Sequence, residues 1–360
     1  MKKLLSGLIA TSMLFALCAC GGTAQPQTPQ TPSSGSGTSS TPPAGGGQTY
    51  NFTFSVMQIE SDPAGESAAR IVEKVAERTN NNVVLTPYYN GQLGDYAAVM
   101  TEIQMGTIDM AYQSFSTEID PVLNITNVPY SATDWDQVKK LWAPGSYPYQ
   151  VLDERFANLG VKFLSPVFYG FMGIGGTDIG DFSDILDPNI KQDALLRVPV
   201  MESYVTLGQA MGFRTTTLPW GDLYSALQTG IADGCIGASA SNVWLSFGDV
   251  INTYIDMNYV MEIGVGIMNL DKFNALPEEY RQTILEVFEE ERVLQADARA
   301  QWDKDAVEQM AQANISTYQP TAEELEPMAE HIREVCWPYY AELLGQDVLD
   351  QYLEAVEALK

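Results

Sequence analysis

Hydrophobic and polar positions alternate in strand and helix patterns over the first folded part of the chain. The run YNFTFSVM, which starts at Tyr50, has the period of two that a half-buried strand shows. Asp62 and Pro63 are typical of a helix start, and the helical pattern continues to about Arg78. The next elements are predicted as a strand over 82–89, a helix over 95–105 and a strand over 107–114. This β-α-β-α-β order predicts a parallel sheet with helices on its faces.

A short segment of this region recurs later in the chain. IQMGTID, which ends at Asp109, returns as LQTGIAD, which ends at Asp233. In both copies a helix is predicted to end at glycine, because glycine suits a left-handed cap, and an aspartate precedes the next strand. The repeat indicates two lobes of similar build.

A long helical pattern runs from Pro277 to about Asn314 without a helix-breaking residue. At ~1.5 Å per residue, roughly 37 residues would extend ~55 Å, which exceeds the width of one small domain. We therefore expect this helix to lie across both lobes. Thr321 and Glu324 then have the spacing of a capping box, which predicts a further helical region at the C-terminal end.

The N-terminal residues have the pattern of an export signal. Lys2 and Lys3 precede an apolar stretch that is too short for an ordinary membrane span, and residues 1–19 are interpreted as a signal peptide. The LCAC sequence that ends at Cys20 resembles a bacterial lipobox, which implies cleavage before Cys20 and its lipidation. An ordinary secretory signal is the alternative. Residues 20–49 contain mostly small, polar and proline residues and are predicted to form a disordered tether. The protein is thus expected outside the cytoplasm, anchored to the outer face of the cell membrane.

Charge and composition restrict the possible functions. The chain has 46 acidic and 19 basic side chains, a formal net charge of −27, which argues against a nucleic-acid partner. Its single histidine, His331, excludes a multi-histidine metal site and argues against a Ser-His-Asp or Cys-His pair. No metal, cofactor or catalytic residue is predicted. A carboxylate pair for glycoside hydrolysis stays open, because so many acids guarantee some pairs. Cys235 and Cys336 are interpreted as two buried free thiols, with a disulfide as the alternative.

The glycine-rich segment GFMGIGGT, which starts at Gly170, does not match a phosphate-binding loop. Asp178 stands where the third glycine of G-x-G-x-x-G would be, and no G-K-[ST] follows. We interpret the segment as a flexible crossing between lobes.

Arg197 is the main candidate for ligand contact. It lies in the strand-like run LLRVPV, and a buried guanidinium needs an anion or other acceptors because it stays protonated. Its planar fork suits two-point contact with a carboxylate. An internal salt bridge to one of the many acids is the structural alternative.

Several stretches together resemble one protein family, and the likeness covers about residues 50 to 345. They include the region 76–112 with its QLG sequence, the LLRVPV strand, the run LPWGDLYSALQTGIADG over 218–234, in which Asp222 replaces the usual glutamate, and NALPEEYRQTILE over 274–286. These resemble the extracytoplasmic solute-binding subunits of tripartite ATP-independent periplasmic (TRAP) transporters, the DctP-like group.

The resemblance implies an α/β, two-lobe periplasmic-binding-protein-like fold that closes on an organic acid, with a long helix spanning both lobes. The expected lobes are residues 50–173 plus 263–302 and residues 174–262 plus 303–360. The implied partners are small and large membrane permease subunits, and a monomer is expected. A sensory protein that feeds a receptor kinase, and a secreted hydrolase, are the alternatives.

The resemblance also assigns site residues. Arg197 takes the role of the family's carboxylate-binding arginine, and Trp220 lies where the family places an aromatic ring over the ligand. Gln58 and Tyr96 lie at further ligand-facing positions. Two polar contacts of sialic-acid binders are absent, because Gly237 replaces an asparagine and Thr177 replaces a second basic residue. These changes favour a small monocarboxylate with an apolar or aromatic body.

Overall fold

The computed structural model describes residues 48–359, which fold into one mixed sheet flanked by helices. The strands are β1 (Tyr50–Val56), β2 (Val83–Tyr88), β3 (Met110–Gln113), β4 (Val161–Gly176), β5 (Leu195–Val198), β6 (Arg214–Thr217), β7 (Gly234–Ser239), β8 (Thr253–Ile255), β9 (Met261–Asn269) and β10 (Ser316–Tyr318). The helices are α1 (Pro63–Arg78), α2 (Tyr96–Met105), α3 (Trp135–Leu141), α4 (Tyr147–Asn158), α5 (Phe182–Ile185), α6 (Glu202–Ala210), α7 (Leu223–Thr229), α8 (Ala240–Phe247), α9 (Leu270–Asn274), α10 (Glu278–Gln312), α11 (Ala322–Leu344) and α12 (Gln346–Glu357). The predicted signal peptide, the lipidation of Cys20 and nearly all of the tether lie outside the described residues.

The predicted helix ends are confirmed by their capping contacts. Asp62 caps α1 by accepting a hydrogen bond from the Ala64 backbone N–H at 2.7 Å, and Pro63 occupies the first turn. Thr321 and Glu324 form the predicted capping box of α11. Local chemistry in the sequence is therefore sufficient to place these helix ends.

The sequence repeat corresponds to equivalent positions in the fold. α2 and α7 both end at a glycine in the left-handed region, with φ of 78° at Gly106 and 73° at Gly230. Asp109 then accepts a hydrogen bond from the Thr53 backbone N–H on β1, and Asp233 accepts one from the Leu195 backbone N–H on β5. Each aspartate thus links one helix end to a parallel strand.

The parallel arrangement predicted for the first three strands is confirmed, and the later strands make the sheet mixed. β1 pairs in parallel with β2 and β3, whereas β9 runs antiparallel to both β3 and β4. The strand order is β2-β1-β3-β9-β4-β7-β5-β6, with β8 on β4 and β10 on β8. β4 pairs with β9 from Val161 to Phe171 and with β7 from Met172 to Gly176, so it joins the two halves of the sheet.

The glycine-rich segment is a buried strand rather than a flexible crossing. It forms the second half of β4, which is buried along nearly its whole length. At Gly170 the backbone has φ of +103°, and a Cβ would lie 2.1 Å from Asp303 Oδ2. At Gly173 a Cβ would lie 2.4 Å from the Tyr254 hydroxyl. Close packing against neighbouring elements requires these glycines.

The predicted long helix is confirmed as α10, which has 35 residues and a length of ~52 Å. It packs against α1 and β4 and, further along, against α8 and β10. Its contacts therefore reach both halves of the sheet. Within residues 48–359 no helix is long and apolar enough to cross a membrane.

The predicted residue boundaries of the lobes remain a proposal, and the C-terminal helices contact both predicted lobes. α11 packs against α6 and against the 3₁₀ segment Pro121–Asn127, and α12 packs against α3 and α4. α11 and α12 together thus contact elements of both predicted lobes.

Candidate functional site

A cavity of about 270 Å³ lies between the two halves of the sheet. This volume is just below the ~300–1,000 Å³ of typical small-molecule pockets, so the cavity suits a small ligand. Its walls come from α2, β4, β5, α6, β7, α8 and β9 and from the connections between strands and helices. They comprise Met57, Gln58, Tyr96, Ser114, Phe115, Thr117, Thr126, Asn127, Met172, Arg197, Pro199, Met201, Tyr204, Trp220, Gly237, Asn242, Ser246, Glu262 and Ile263.

Arg197 reaches this cavity from β5 and is only 3% exposed. Its Nε donates a hydrogen bond to the Leu218 carbonyl at 2.8 Å, whereas its Nη1 is buried and has no hydrogen-bond partner among residues 48–359. No acidic side chain in that range forms an ion pair with it. Burial lowers the pKa of the guanidinium, and no acid is among the groups that raise it. The internal salt bridge that the sequence left open is therefore absent from the described structure.

Trp220 lies beside the guanidinium. The Arg197 guanidinium carbon is 5.7 Å from the Trp220 ring centroid, within cation–π distance. The indole packs edge-on against Phe247 with centroids 4.9 Å apart, and it remains 41% exposed. A large aromatic ring that keeps this exposure at a cavity wall can cover a bound ligand.

Gln58, Tyr96 and Gly237 also line the cavity. Tyr96 is the first residue of α2, and its carbonyl accepts a hydrogen bond from the Gln113 side chain at 2.9 Å. Gly237 has φ of +92°, and its backbone N–H donates to the Tyr259 hydroxyl at 2.7 Å. The structure therefore brings five of the six predicted ligand-site residues together.

Thr177 is the exception. It follows the end of β4, and both its backbone N–H and its hydroxyl donate to the Asp233 carbonyl, at 2.8 and 3.1 Å. It is not among the residues that line the cavity. Thr177 therefore does not contact the cavity in the described structure.

Glu262 is a cavity residue that the sequence reasoning missed. It lies at the start of β9 and, with Arg197, is one of two formally charged residues in the described cavity wall. Burial raises the pKa of the Glu262 carboxyl to about 7. The signal was present in the sequence, because Glu262 is the only charged residue between Asp256 and Asp271. The same reasoning that selected Arg197 applies to it.

A buried polar network lies beside Glu262 on α10. Arg299 Nη2 donates to both carboxylate oxygens of Asp62 at 2.7 Å, and its Nη1 donates to Ser241 Oγ at 2.9 Å. Asp303 Oδ1 accepts hydrogen bonds from the backbone N–H and the hydroxyl of Ser241. Asp62 precedes α1 and Ser241 lies on α8, so the network joins both halves of the sheet through α10.

The two cysteines of the described region are buried and free. Burial raises the pKa of Cys235 to about 11 and that of Cys336 to about 12. The predicted free thiols are confirmed. No group of three or more His, Cys, Asp or Glu side chains within residues 48–359 is arranged to hold a metal ion.

Sequence comparison relates this chain to known solute-binding proteins. Residues 54–343 match the family described as bacterial extracellular solute-binding protein, family 7 (DctP). The ectoine/5-hydroxyectoine-binding periplasmic protein UehA of Ruegeria pomeroyi is 26% identical over 191 residues, which cover 52% of this chain and 54% of UehA. The ectoine-binding periplasmic protein TeaA of Halomonas elongata is 24% identical over 240 residues, which cover 65% of this chain and 67% of TeaA. The chain thus aligns with about half to two thirds of these relatives.

Solved structures share the fold over almost their whole length. A TRAP periplasmic solute-binding protein from Desulfovibrio salexigens with bound orotic acid superposes with a TM-score of 0.77 at 21% identity, covering 87% of this chain and 100% of that one. The TeaA structure gives 0.76 at 21% identity, with 86% and 99% covered. These structures establish the two-lobe fold that the sequence predicted.

Proposed function

The chain belongs to the DctP family of bacterial extracellular solute-binding proteins, the TRAP solute-binding group, and from this premise we propose that it captures a small organic acid outside the cytoplasm for uptake. The observation that carries the proposal is the buried guanidinium of Arg197, which faces the cavity without an acidic partner in the described structure. An isolated buried charge is costly unless it is paired. A ligand carboxylate would supply the missing partner.

Closure of the two lobes on the ligand would strengthen this ion pair. Water is excluded as the cavity closes, the local dielectric constant falls, and the attraction between carboxylate and guanidinium increases. The closed form is stabilised only by the amount by which the ligand binds it more tightly than the open form. Trp220 is assigned to cover the ligand, and Gln58 and Tyr96 to contact its polar groups.

The composition of the cavity supports a monocarboxylate with an apolar body. Arg197 is its only cationic residue among those described, and Met57, Phe115, Met172 and Ile263 provide apolar walls. Ectoine, orotic acid and galactonate are ligands of a relative and of two structural neighbours. A small organic acid is therefore the ligand class with most support.

The partner and anchor are part of the same proposal. We assign delivery of the ligand to small and large membrane permease subunits, as in TRAP transport. Lipidation of Cys20 and the tether over 20–49 would hold the receptor at the outer face of the cell membrane. Radiolabelled palmitate incorporation that is lost in Cys20→Ala tests the anchor.

A thermal-shift screen with a panel of small carboxylic acids tests the function. A tight ligand raises the melting temperature by mass action, and Arg197→Ala is expected to abolish the shift. Loss of one partner of a buried ion pair costs ~3–5 kcal/mol, which corresponds to a loss of affinity of roughly a hundredfold to several thousandfold. Arg214→Ala is the matched control, because Arg214 lies on the neighbouring strand β6 but is exposed. An unchanged affinity in Arg197→Ala would reject the assignment.

A further inference from the structure

The cavity wall contains two opposite charges that do not neutralise each other. Among the described wall residues, Arg197 is the only cation and Glu262 the only anion. No ion pair within 4.0 Å joins them in the described structure. Arg197 lies on β5 in one half of the sheet, and Glu262 lies on β9, opposite Gly170 of β4. The wall therefore offers an anion site and a cation site at separate places.

The surroundings of Glu262 lack positive charge. The nearby carboxylates of Asp62 and Asp303 raise its pKa, and Arg299 lowers it. Arg299 already donates two hydrogen bonds to Asp62 at 2.7 Å. One guanidinium thus faces three carboxyl groups in a buried region, and a buried charge without compensation is unfavourable.

We infer that Glu262 is a second recognition residue that accepts a hydrogen bond from a cationic nitrogen of the ligand. The ligand is then a zwitterionic organic acid, with its carboxylate on Arg197 and its ammonium or amidinium group on Glu262. The inference rests on the proposed function of this cavity as an acid-binding site. A hydroxyl group would satisfy one hydrogen bond, whereas a cation also supplies the charge that the cluster lacks. When Glu262 is ionised, the two charged residues of the described wall sum to zero, as do the two charges of a zwitterion.

Binding of such a ligand is coupled to proton release. Burial raises the pKa of Glu262 to about 7, so near neutral pH the empty site holds a proton part of the time. The ligand cation replaces that proton, which passes from the carboxyl to the buffer. The groups that face Glu262 are the Ser114 hydroxyl, the charged residues Asp62 and Arg299, the carboxyl of Asp303, whose pKa burial raises to about 6, and the phenols Tyr169, Tyr204 and Tyr259. Burial raises the pKa of these phenols well above their usual value, so they stay neutral.

Calorimetry with matched acids tests the inference. Each pair joins an acid that carries a cationic nitrogen to an acid of closely similar frame without that charge: β-alanine and propanoate, γ-aminobutyrate and butanoate, and proline and cyclopentanecarboxylate. The tightest acid from the thermal-shift screen is paired in the same way with its analogue that gains or lacks the nitrogen. The unaltered protein is expected to bind the best nitrogen-bearing acid at least about tenfold more tightly than its partner. Glu262→Gln should lose this preference while it still binds the plain acid. Glu77→Gln, the same change at an exposed glutamate of α1 outside the cavity, should keep the preference.

Proton release gives a second readout on the unaltered protein, which does not depend on the folding of any variant. The apparent affinity for the nitrogen-bearing acid should rise about tenfold from about pH 6 to about pH 8, with release of close to one proton at the lower pH. Any of three results overturns the inference: the tightest ligand has no cationic nitrogen, binding releases no proton, or Glu262→Gln keeps the preference for the nitrogen-bearing acid. The melting temperature of the empty protein is also compared in sodium and in choline salts. A higher value in sodium, together with no preference for nitrogen-bearing acids, would indicate a metal-cation site at Glu262 and also overturns the inference. Failure of the proposed function differs, because Arg197→Ala would then bind all these acids normally.

Discussion

Two buried arginines in this protein should respond in opposite ways to the same substitution. Arg197 is 3% exposed and has no acidic partner among the described residues, whereas Arg299 is fully buried and donates two hydrogen bonds to Asp62. Methionine has a similar length and no charge. Arg197→Met should therefore remove ligand binding with little loss of stability, and Arg299→Met should lower stability.

The expected magnitudes follow from the contacts. Arg299→Met leaves the buried Asp62 carboxylate without its ion pair, which costs ~3–5 kcal/mol in the free energy of unfolding. Arg197→Met loses the hydrogen bond to the Leu218 carbonyl, which lowers the free energy of unfolding by ~1 kcal/mol. It also removes the buried Nη1 donor that has no partner in the described structure, which raises the free energy of unfolding by ~1–3 kcal/mol. The net effect for Arg197→Met lies between no change and a gain of ~2 kcal/mol.

Urea unfolding followed by tryptophan fluorescence measures both variants, and the difference between their transition midpoints is the quantity of interest. Ligand affinity is measured on the same preparations. A loss of stability in Arg197→Met as large as that in Arg299→Met would refute the reasoning, because Arg197 would then be paired within the protein.

Two further predictions concern backbone packing and pH. Gly170→Ala should lower the free energy of unfolding by ~2–4 kcal/mol, because a Cβ would lie 2.1 Å from Asp303 Oδ2. Gly145→Ala, where φ is +84° and no atom lies within 4 Å of the added Cβ, should cost only ~1 kcal/mol. Equal unfolding midpoints of the two variants in urea would contradict this prediction. Burial raises the pKa of Asp256 to about 7 from 3.8, so the folded protein binds the extra proton between about pH 4 and 7 and this residue's contribution to stability falls as pH rises. The melting temperature of Asp256→Asn, relative to the unaltered protein, should thus increase from about pH 5 to pH 8, and a constant difference would contradict the assignment.

The elements with a strong local signal could be predicted from the sequence. Alternation identified β1, the capping residues Asp62 and Thr321 located two helix starts, and the absence of breakers identified α10. β4 and β9 were not recognised, because strands buried on both faces are apolar throughout and lack alternation. For the same reason the glycines of β4 were attributed to flexibility, although close packing requires them.

The site could be predicted where one residue type stands out against its background. Arg197 is conspicuous because cations are rare in the whole chain, whereas Glu262 is one of 46 acids and stands out only by its isolation between Asp256 and Asp271. Thr177 is a site candidate only through its position in the family resemblance. In the structure it follows β4, and its hydroxyl donates a hydrogen bond to the Asp233 carbonyl instead of lining the cavity. Contacts across the fold, such as Arg299 with Asp62, have no local signal in the sequence.

The most direct test of the account is a crystal structure with the tightest-binding acid from the screen. We expect a carboxylate oxygen of the ligand within ~3.2 Å of a terminal guanidinium nitrogen of Arg197, with Trp220 over the ligand body. A ligand whose carboxylate contacts other residues, or an Arg197 that is paired with an acid of the protein itself, would contradict the central claim.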